Sequence, residues 1–174
     1  MRKTLLDSLL HRPFTEALPK PDAEMRAMAA RLDQAARRRL GRSLAIRVVD
    51  AGSCNGCELE LNALSNPLYD FERCGLKLVA SPRHADVLLV TGPVTHAMEA
   101  ALRATYEAMP APKWVVASGD CALCGGVFAA SPACIGSVAK VLPVDLTIPG
   151  CPPSPRAVLA GLIALIGGRR SDDV

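Results

Sequence analysis

Aromatic residues are scarce in this 174-residue chain, at 3%: one Trp, two Tyr and three Phe. Its core must therefore be built from Ala, Val, Leu and Ile. Half of the residues are hydrophobic, enough for the core of one domain of ordinary size. Long apolar runs are lacking too. The longest, residues 157–168, is about a dozen residues, short of the ~18–20 a membrane span needs, and reads as a buried helix. The basic start, Met1-Arg2-Lys3, leads into a stretch that Asp7 interrupts, and no small-residue cleavage site follows, so no secretory signal is expected. These absences predict a soluble or peripheral protein of the cytoplasm. Gly-x-Gly-x-x-Gly is missing, which argues against dinucleotide binding by this chain. His11, His84 and His96 are scattered without ligand spacing, and Ser53 has no paired base, so nucleophilic catalysis has no support. The net charge of +3 is too modest to make nucleic acid the main partner.

What is present is a change of texture near residue 43. Residues 1–21 carry Pro13, Pro19 and Pro21 and read as an irregular arm. Asp22 caps a predicted helix to about Leu40, with Glu24 in its first turn and arginines toward its end, an order that suits the helix dipole. Arg26, Arg31, Arg37, Arg38, Arg39, Arg42 and Arg47 crowd this region. The basic helix either docks on an acidic partner or anionic lipid headgroups, or is a solvated face. Beyond it, short Val/Ile/Leu runs alternate with helical segments. Strands are expected at residues 45–50, 76–80, 86–92, 113–119 and 144–150, and helices from Pro93 to about Met109 and from Ser154 to Ile166. That alternation signals a parallel sheet covered on both faces. The expected fold is a three-layer, flavodoxin-like α/β domain over residues 43–174, preceded by an N-terminal helical arm over residues 1–42.

Seven cysteines are an odd count, and a secreted disulfide framework is usually shorter and even-numbered. Cys54-Asn55-Gly56-Cys57 follows the first strand, Cys121 the fourth and Cys151 the fifth. All three addresses are carboxyl ends of parallel strands, where open α/β sheets bind ligands. Four thiolates converging there suit an iron–sulfur cluster or a tetrahedral Zn²⁺. Gly52, Gly56, Gly119, Gly125, Gly126 and Gly150 flank the cysteines and let backbone amides approach a sulfur-rich anion. A thioredoxin-like redox pair at Cys54 and Cys57 would leave the other two loops unexplained. Structural zinc usually draws on two close pairs, whereas the set Cys54, Cys57, Cys121 and Cys151 holds one. Cys74 and Cys134 read as packing residues, the latter on a helical or loop segment. Cys121-Ala122-Leu123-Cys124 is itself a C-x-x-C, so spacing leaves these two cysteines open, with Cys121 nearer the strand end.

Four ordered motifs then carry a resemblance. They are Ser53-Cys54-Asn55-Gly56-Cys57-Glu58-Leu59-Glu60; Thr91-Gly92-Pro93-Val94-Thr95; Gly119-Asp120-Cys121-Ala122 with Gly125-Gly126; and Ile148-Pro149-Gly150-Cys151-Pro152-Pro153. From about Ser43 to Ile166 the chain resembles a family of small subunits of NADH-quinone oxidoreductase, the complex I-like enzyme. That family includes small subunits of membrane-bound, energy-conserving [NiFe] hydrogenases such as formate hydrogenlyase. The resemblance implies one [4Fe–4S] cluster at the end of an electron chain, with Cys54, Cys57, Cys121 and Cys151 as ligands, and it resolves the tie in favour of Cys121. Quinone-reducing members carry adjacent cysteines at the first two positions; here they are separated, as in the hydrogenase-type branch.

The expected role is therefore an electron-transfer subunit with no complete active site of its own. The partners implied are a large catalytic subunit, a ferredoxin-like subunit and membrane-arm subunits, at the cytoplasmic face of the inner membrane. Asp50, Glu58, Glu60 and Asp120 sit beside the cysteines. Their charge would lower a cluster's potential, and a glutamate would suit proton relay; Asp120 would equally suit orienting a loop. A zinc-stabilised binding module without redox role is the rival of another class.

Overall fold

The computed structural model describes residues 23–66 and 69–167. The arm expected over residues 1–21, the Asp22 cap and His11 lie outside the described residues. The first described element is helix α1, Ala23–Leu40. After it the chain enters strand β1, Leu44–Asp50, and the short helix α2, Gly56–Ala63. Strands β2, Leu76–Leu78, and β3, Val87–Thr91, follow. Next come β4, Val94–Thr95, and helix α3, His96–Ala108. Strand β5, Trp114–Ser118, leads into a single helical turn, α4, Asp120–Cys124. The described residues close with β6, Cys134–Gly136, β7, Leu146–Ile148, and helix α5, Pro155–Ile166.

Five strands form one parallel sheet in the order β2-β1-β3-β5-β7. Counted along the chain, this is the 2-1-3-4-5 order of flavodoxin-like folds. The strands are Val/Leu-rich because both faces are covered. Leu44, Ile46, Val87, Leu89, Val116, Leu146 and Ile148 point into a core shared with Leu32 and Ala36 of α1, Leu61 of α2 and Leu159 and Leu162 of α5. Their alternate neighbours Val49, Leu88, Val90, Val115 and Ala117 point into a second core with Leu102 of α3 and Ala122 of α4. The period-two alternation of the strands thus feeds two helical layers. Leu32 is completely buried, worth roughly 1.5–3 kcal/mol, which ties α1 to the sheet. Small residues permit close approach where layers meet. A Cβ on Gly161 of α5 would lie 3.1 Å from the Ile148 side chain of β7.

Caps follow the sequence signals. Ser154 accepts a hydrogen bond from the Ala157 amide and Pro155 opens α5, the ordered start expected of a proline-led helix. Two expectations need correcting. Pro93 does not open a helix. The chain first makes β4, which pairs antiparallel with β6, and α3 begins at His96. The Thr95 amide and hydroxyl both donate to the Ala51 carbonyl, holding this stretch extended. Cys134 lies on strand β6 rather than on a helix or loop. Among the described residues, no helix is long and apolar enough to cross a membrane.

Candidate metal centre

Three chain segments leave the carboxyl edge of the sheet and meet over it. The first follows β1. Asp50 Oδ1 accepts from the amides of Gly52 and Ser53, each at 2.7 Å. Ser53 Oγ accepts from the Asn55 amide at 3.0 Å and donates to Glu58 Oε2 at 2.6 Å. Asn55, with φ 70°, caps α2 in the left-handed region, which Asn tolerates better than most residues. These bonds set Cys54 in the loop and Cys57 in the first turn of α2.

The second and third segments follow β5 and β7. The Gly119 amide donates to the Ile148 carbonyl at 2.8 Å, and the Asp120 amide to the Gly150 carbonyl at 2.9 Å. The Gly150 amide returns a bond to Asp120 Oδ1 at 2.8 Å. Cys121 sits on α4 and Cys151 follows Gly150, with a cis bond to Pro152.

Cys54, Cys57, Cys121 and Cys151 line one cleft of about 90 Å³, together with Ser53, Asp120 and Pro152. All four thiols predicted as ligands are thus brought together. Cys121 is buried, Cys57 half-buried, and Cys54 and Cys151 exposed, so the cleft is open on one side. Two glycines make room for sulfur. A Cβ on Gly119 (φ +91°) would lie 2.7 Å from Cys57 Sγ, and one on Gly126 (φ +51°) 2.7 Å from Cys121 Sγ. Any side chain at either place would collide with a thiol and strain the backbone.

The thiols also feel one another. Burial, then Glu58 and then the neighbouring Cys121, Cys54 and Cys151 push the Cys57 thiol up to about 11. Burial raises Cys121 as well, followed by Cys151 and Cys54, with the Val127 amide acting in the opposite sense. Four thiolates so close together need a compensating cation, because burial and like charge both disfavour them. Metal coordination supplies that charge and deprotonates thiols. Among the described residues, no group of three or more His, Cys, Asp or Glu side chains is closed up as a metal site.

The remaining cysteines lie elsewhere. Cys124 is exposed, and its thiol donates to the Asp120 carbonyl at 3.2 Å within α4. Cys74 is buried in the core, its thiol 3.6 Å from the Asp70 carbonyl. His84 and His96 are exposed and apart from the cleft. Three of the four acidic residues beside the cysteines hold loops: Asp50 caps amides, Glu58 pairs with Ser53, and Asp120 reaches Gly150. The mutual arrangement of Asp120 and Gly150 spans thirty positions, so no local pattern announces it; the only signal was an aspartate placed directly before a cysteine.

Comparison with known proteins places the chain among relatives of known complexes. Over 124 residues the chain is 49% identical to the Pyrococcus furiosus protein named "Probable membrane-bound hydrogenase subunit mbhJ", covering 71% of this chain and 74% of that protein. It is 45% identical over 130 residues to formate hydrogenlyase subunit 7 of Escherichia coli, covering 75% of this chain but only 51% of that relative. Among solved structures, a chain of the membrane-bound sulfane sulfur reductase, an archaeal respiratory membrane complex, matches with a TM-score of 0.65 at 37% identity, over 79% of this chain and 74% of that one. Residues 54–165, which contain all four cleft cysteines, match the family described as NADH ubiquinone oxidoreductase, 20 Kd subunit, and the chain belongs to that family.

Proposed function

We propose that this chain binds one [4Fe–4S] cluster through Cys54, Cys57, Cys121 and Cys151 and serves as an electron-transfer subunit of a membrane-associated, hydrogenase-type oxidoreductase complex. The observation that carries this reading is the meeting of four thiols, delivered by three separate strand ends, in one cleft. The cleft fits such a group in its donor chemistry: four thiols, with Gly119 and Gly126 kept small against sulfur. When bound, the cluster would supply one-electron transfer. The residues of this chain would hold it, exclude water on the Cys121 side and adjust its electron affinity through hydrogen bonds and nearby charge.

A zinc ion would draw all four sulfurs to about 2.3 Å from one point. The four thiols line a cleft of about 90 Å³, and metal analysis separates the two groups. The separation of Cys54 from Cys57 favours the hydrogenase-type branch over subunits that pass electrons to quinone. Its partners would be a large catalytic subunit, a ferredoxin-like subunit and membrane-arm subunits, with the chain peripheral on the cytoplasmic face of the inner membrane.

Anaerobic purification of the full chain, with iron, sulfide and zinc analysis and electron paramagnetic resonance, tests the cluster. A brown protein with matched iron and sulfide is expected. Replacing Cys54, Cys57, Cys121 or Cys151 with Ser should remove most of the iron, whereas Cys74→Ser and Cys134→Ser should leave it. A colourless, zinc-bearing protein would overturn the reading in favour of a zinc-stabilised binding module, and full iron in any of the first four variants would remove that residue from the ligand set.

A further inference from the structure

Strand pairing between β5 and β7 ends at Ser118 and Ile148. Beyond that point β7 turns away at Gly150, whose φ is +135°. The Gly119 amide still reaches the Ile148 carbonyl, and the Asp120 amide the Gly150 carbonyl. The Gly150 amide has lost its strand partner by then, and a side chain replaces it: Asp120 Oδ1 accepts that bond at 2.8 Å. Asp120 and Gly150 are therefore joined at two points, one through backbone and one through carboxylate. Each directly precedes a cleft cysteine, Cys121 and Cys151, and both line the cleft themselves.

We propose that Asp120 is a positioning residue that locks the Cys121 and Cys151 segments together, and that its negative charge lowers the electron affinity of the site they form. The proposal rests on the reading of the cleft cysteines as cluster ligands. The geometry separates the two roles. An asparagine keeps an oxygen at the same place to accept from Gly150 but carries no charge. An alanine loses both. A carboxylate accepting a backbone N–H makes a stronger bond than a neutral acceptor, and negative charge beside a cluster favours its oxidised state.

The test uses the full chain, loaded anaerobically with iron and sulfide, as wild type, Asp120→Ala, Asp120→Asn and Cys151→Ser. Iron release to a chelator, the midpoint potential from a redox titration followed by electron paramagnetic resonance, and hydrogen exchange at the Gly150 amide in the metal-free chain are measured. Asp120→Ala should release iron about ten-fold faster or more, the factor that loss of a charge-assisted hydrogen bond carries. Asp120→Asn should recover most of the retention while its potential lies above that of the wild type. Wild-type release and potential in Asp120→Ala would overturn the proposal, as would an asparagine variant that releases iron as fast as the alanine one. Should Asp120→Ala fail to fold, the asparagine variant still decides: an unchanged potential removes the charge effect. Full iron in Cys151→Ser would instead count against the ligand reading. The lock is then judged by the Gly150 amide, whose exchange should be faster in metal-free Asp120→Ala than in Asp120→Asn; equal rates in wild type and alanine would overturn it.

Discussion

Cys121 and Cys124 share one helical turn, yet their thiols have different surroundings. Cys121 is buried in the cleft with the Gly126 backbone packed against its sulfur, whereas Cys124 is exposed and bonded back to the Asp120 carbonyl. A turn this short is held by few bonds, among them the Gly125 amide to the Cys121 carbonyl at 2.8 Å. Breaking one such bond costs only about 0.5–1.5 kcal/mol, so the segment can shift if its preferred thiol is gone. An asymmetry follows. Cys124→Ser should keep a normal cluster, because the cleft set is untouched. Cys121→Ser should give a labile one, partly rescued by Cys124, and the double variant should be worse than Cys121→Ser alone. Anaerobic iron and sulfide analysis of the three variants checks it; a normal cluster in Cys121→Ser beside a lost one in Cys124→Ser would exchange the two assignments. At this scale the sequence was only half informative. Spacing could not separate two cysteines in one C-x-x-C, since the deciding quantity is which side of a helical turn faces the cleft.

At the scale of elements, the basic helix has a structural duty that its charge alone does not reveal. Arg39 of α1 donates through Nη1 to the Ile166 carbonyl at 2.9 Å and approaches the Leu165 carbonyl at 3.3 Å. Its guanidinium lies 4.9 Å from the centroid of the Trp114 ring. One side chain thus caps the carboxyl end of α5, complements that helix's dipole and stacks on the first residue of β5. Arg37 is paired with Asp33 on the helix surface, while Arg26, Arg31 and Arg38 are exposed. Replacing Arg39 with Ala should cost about 1–2 kcal/mol, lowering Tm by roughly 2–8 °C, and Arg39→Lys should fall between because it keeps the charge without the planar fork. Thermal unfolding measures this; an alanine variant as stable as the wild type would reduce Arg39 to a surface charge. The sheet itself was legible in the sequence because strands buried on both faces must be Val/Leu-rich. The β4–β6 ribbon was not. Val94-Thr95 is too short to show a period, and what holds it extended is a distant carbonyl at Ala51. Helix α2 was missed for a similar reason: it starts on Gly56, a poor helix former, and depends on the left-handed Asn55 before it.

For the whole molecule, the placement of the cleft decides what the chain can do alone. The cleft sits at the carboxyl edge of the sheet with Cys54 and Cys151 exposed. Two large apolar side chains stand in water just beyond cleft cysteines in the chain: Leu59, 60% exposed, after Cys57, and Val127, 84% exposed, after Cys121. Scattered apolar residues are ordinary on a surface, but a pair so near in the chain to the cysteines of an open cleft fits a face that a partner covers. The described residues around the cleft supply thiols, carboxylates and a serine. On the proposed reading, electrons enter and leave through other subunits of the complex. The purified chain, loaded with its cluster, should therefore accept electrons from a strong chemical reductant yet neither evolve hydrogen nor reduce quinone at a measurable rate. Leu59→Ser combined with Val127→Ser should keep the iron content and the potential, because neither side chain lines the cleft and the Val127 amide that acts on Cys121 is retained, while weakening co-purification with the other subunits of the complex. Anaerobic turnover assays on the single chain, and affinity purification of the tagged chain from its own membranes with and without the two substitutions, measure both. Sustained hydrogen or quinone turnover by the single chain would show that it holds a complete active site, and unaltered co-purification of the double variant would move the docking face away from the cleft.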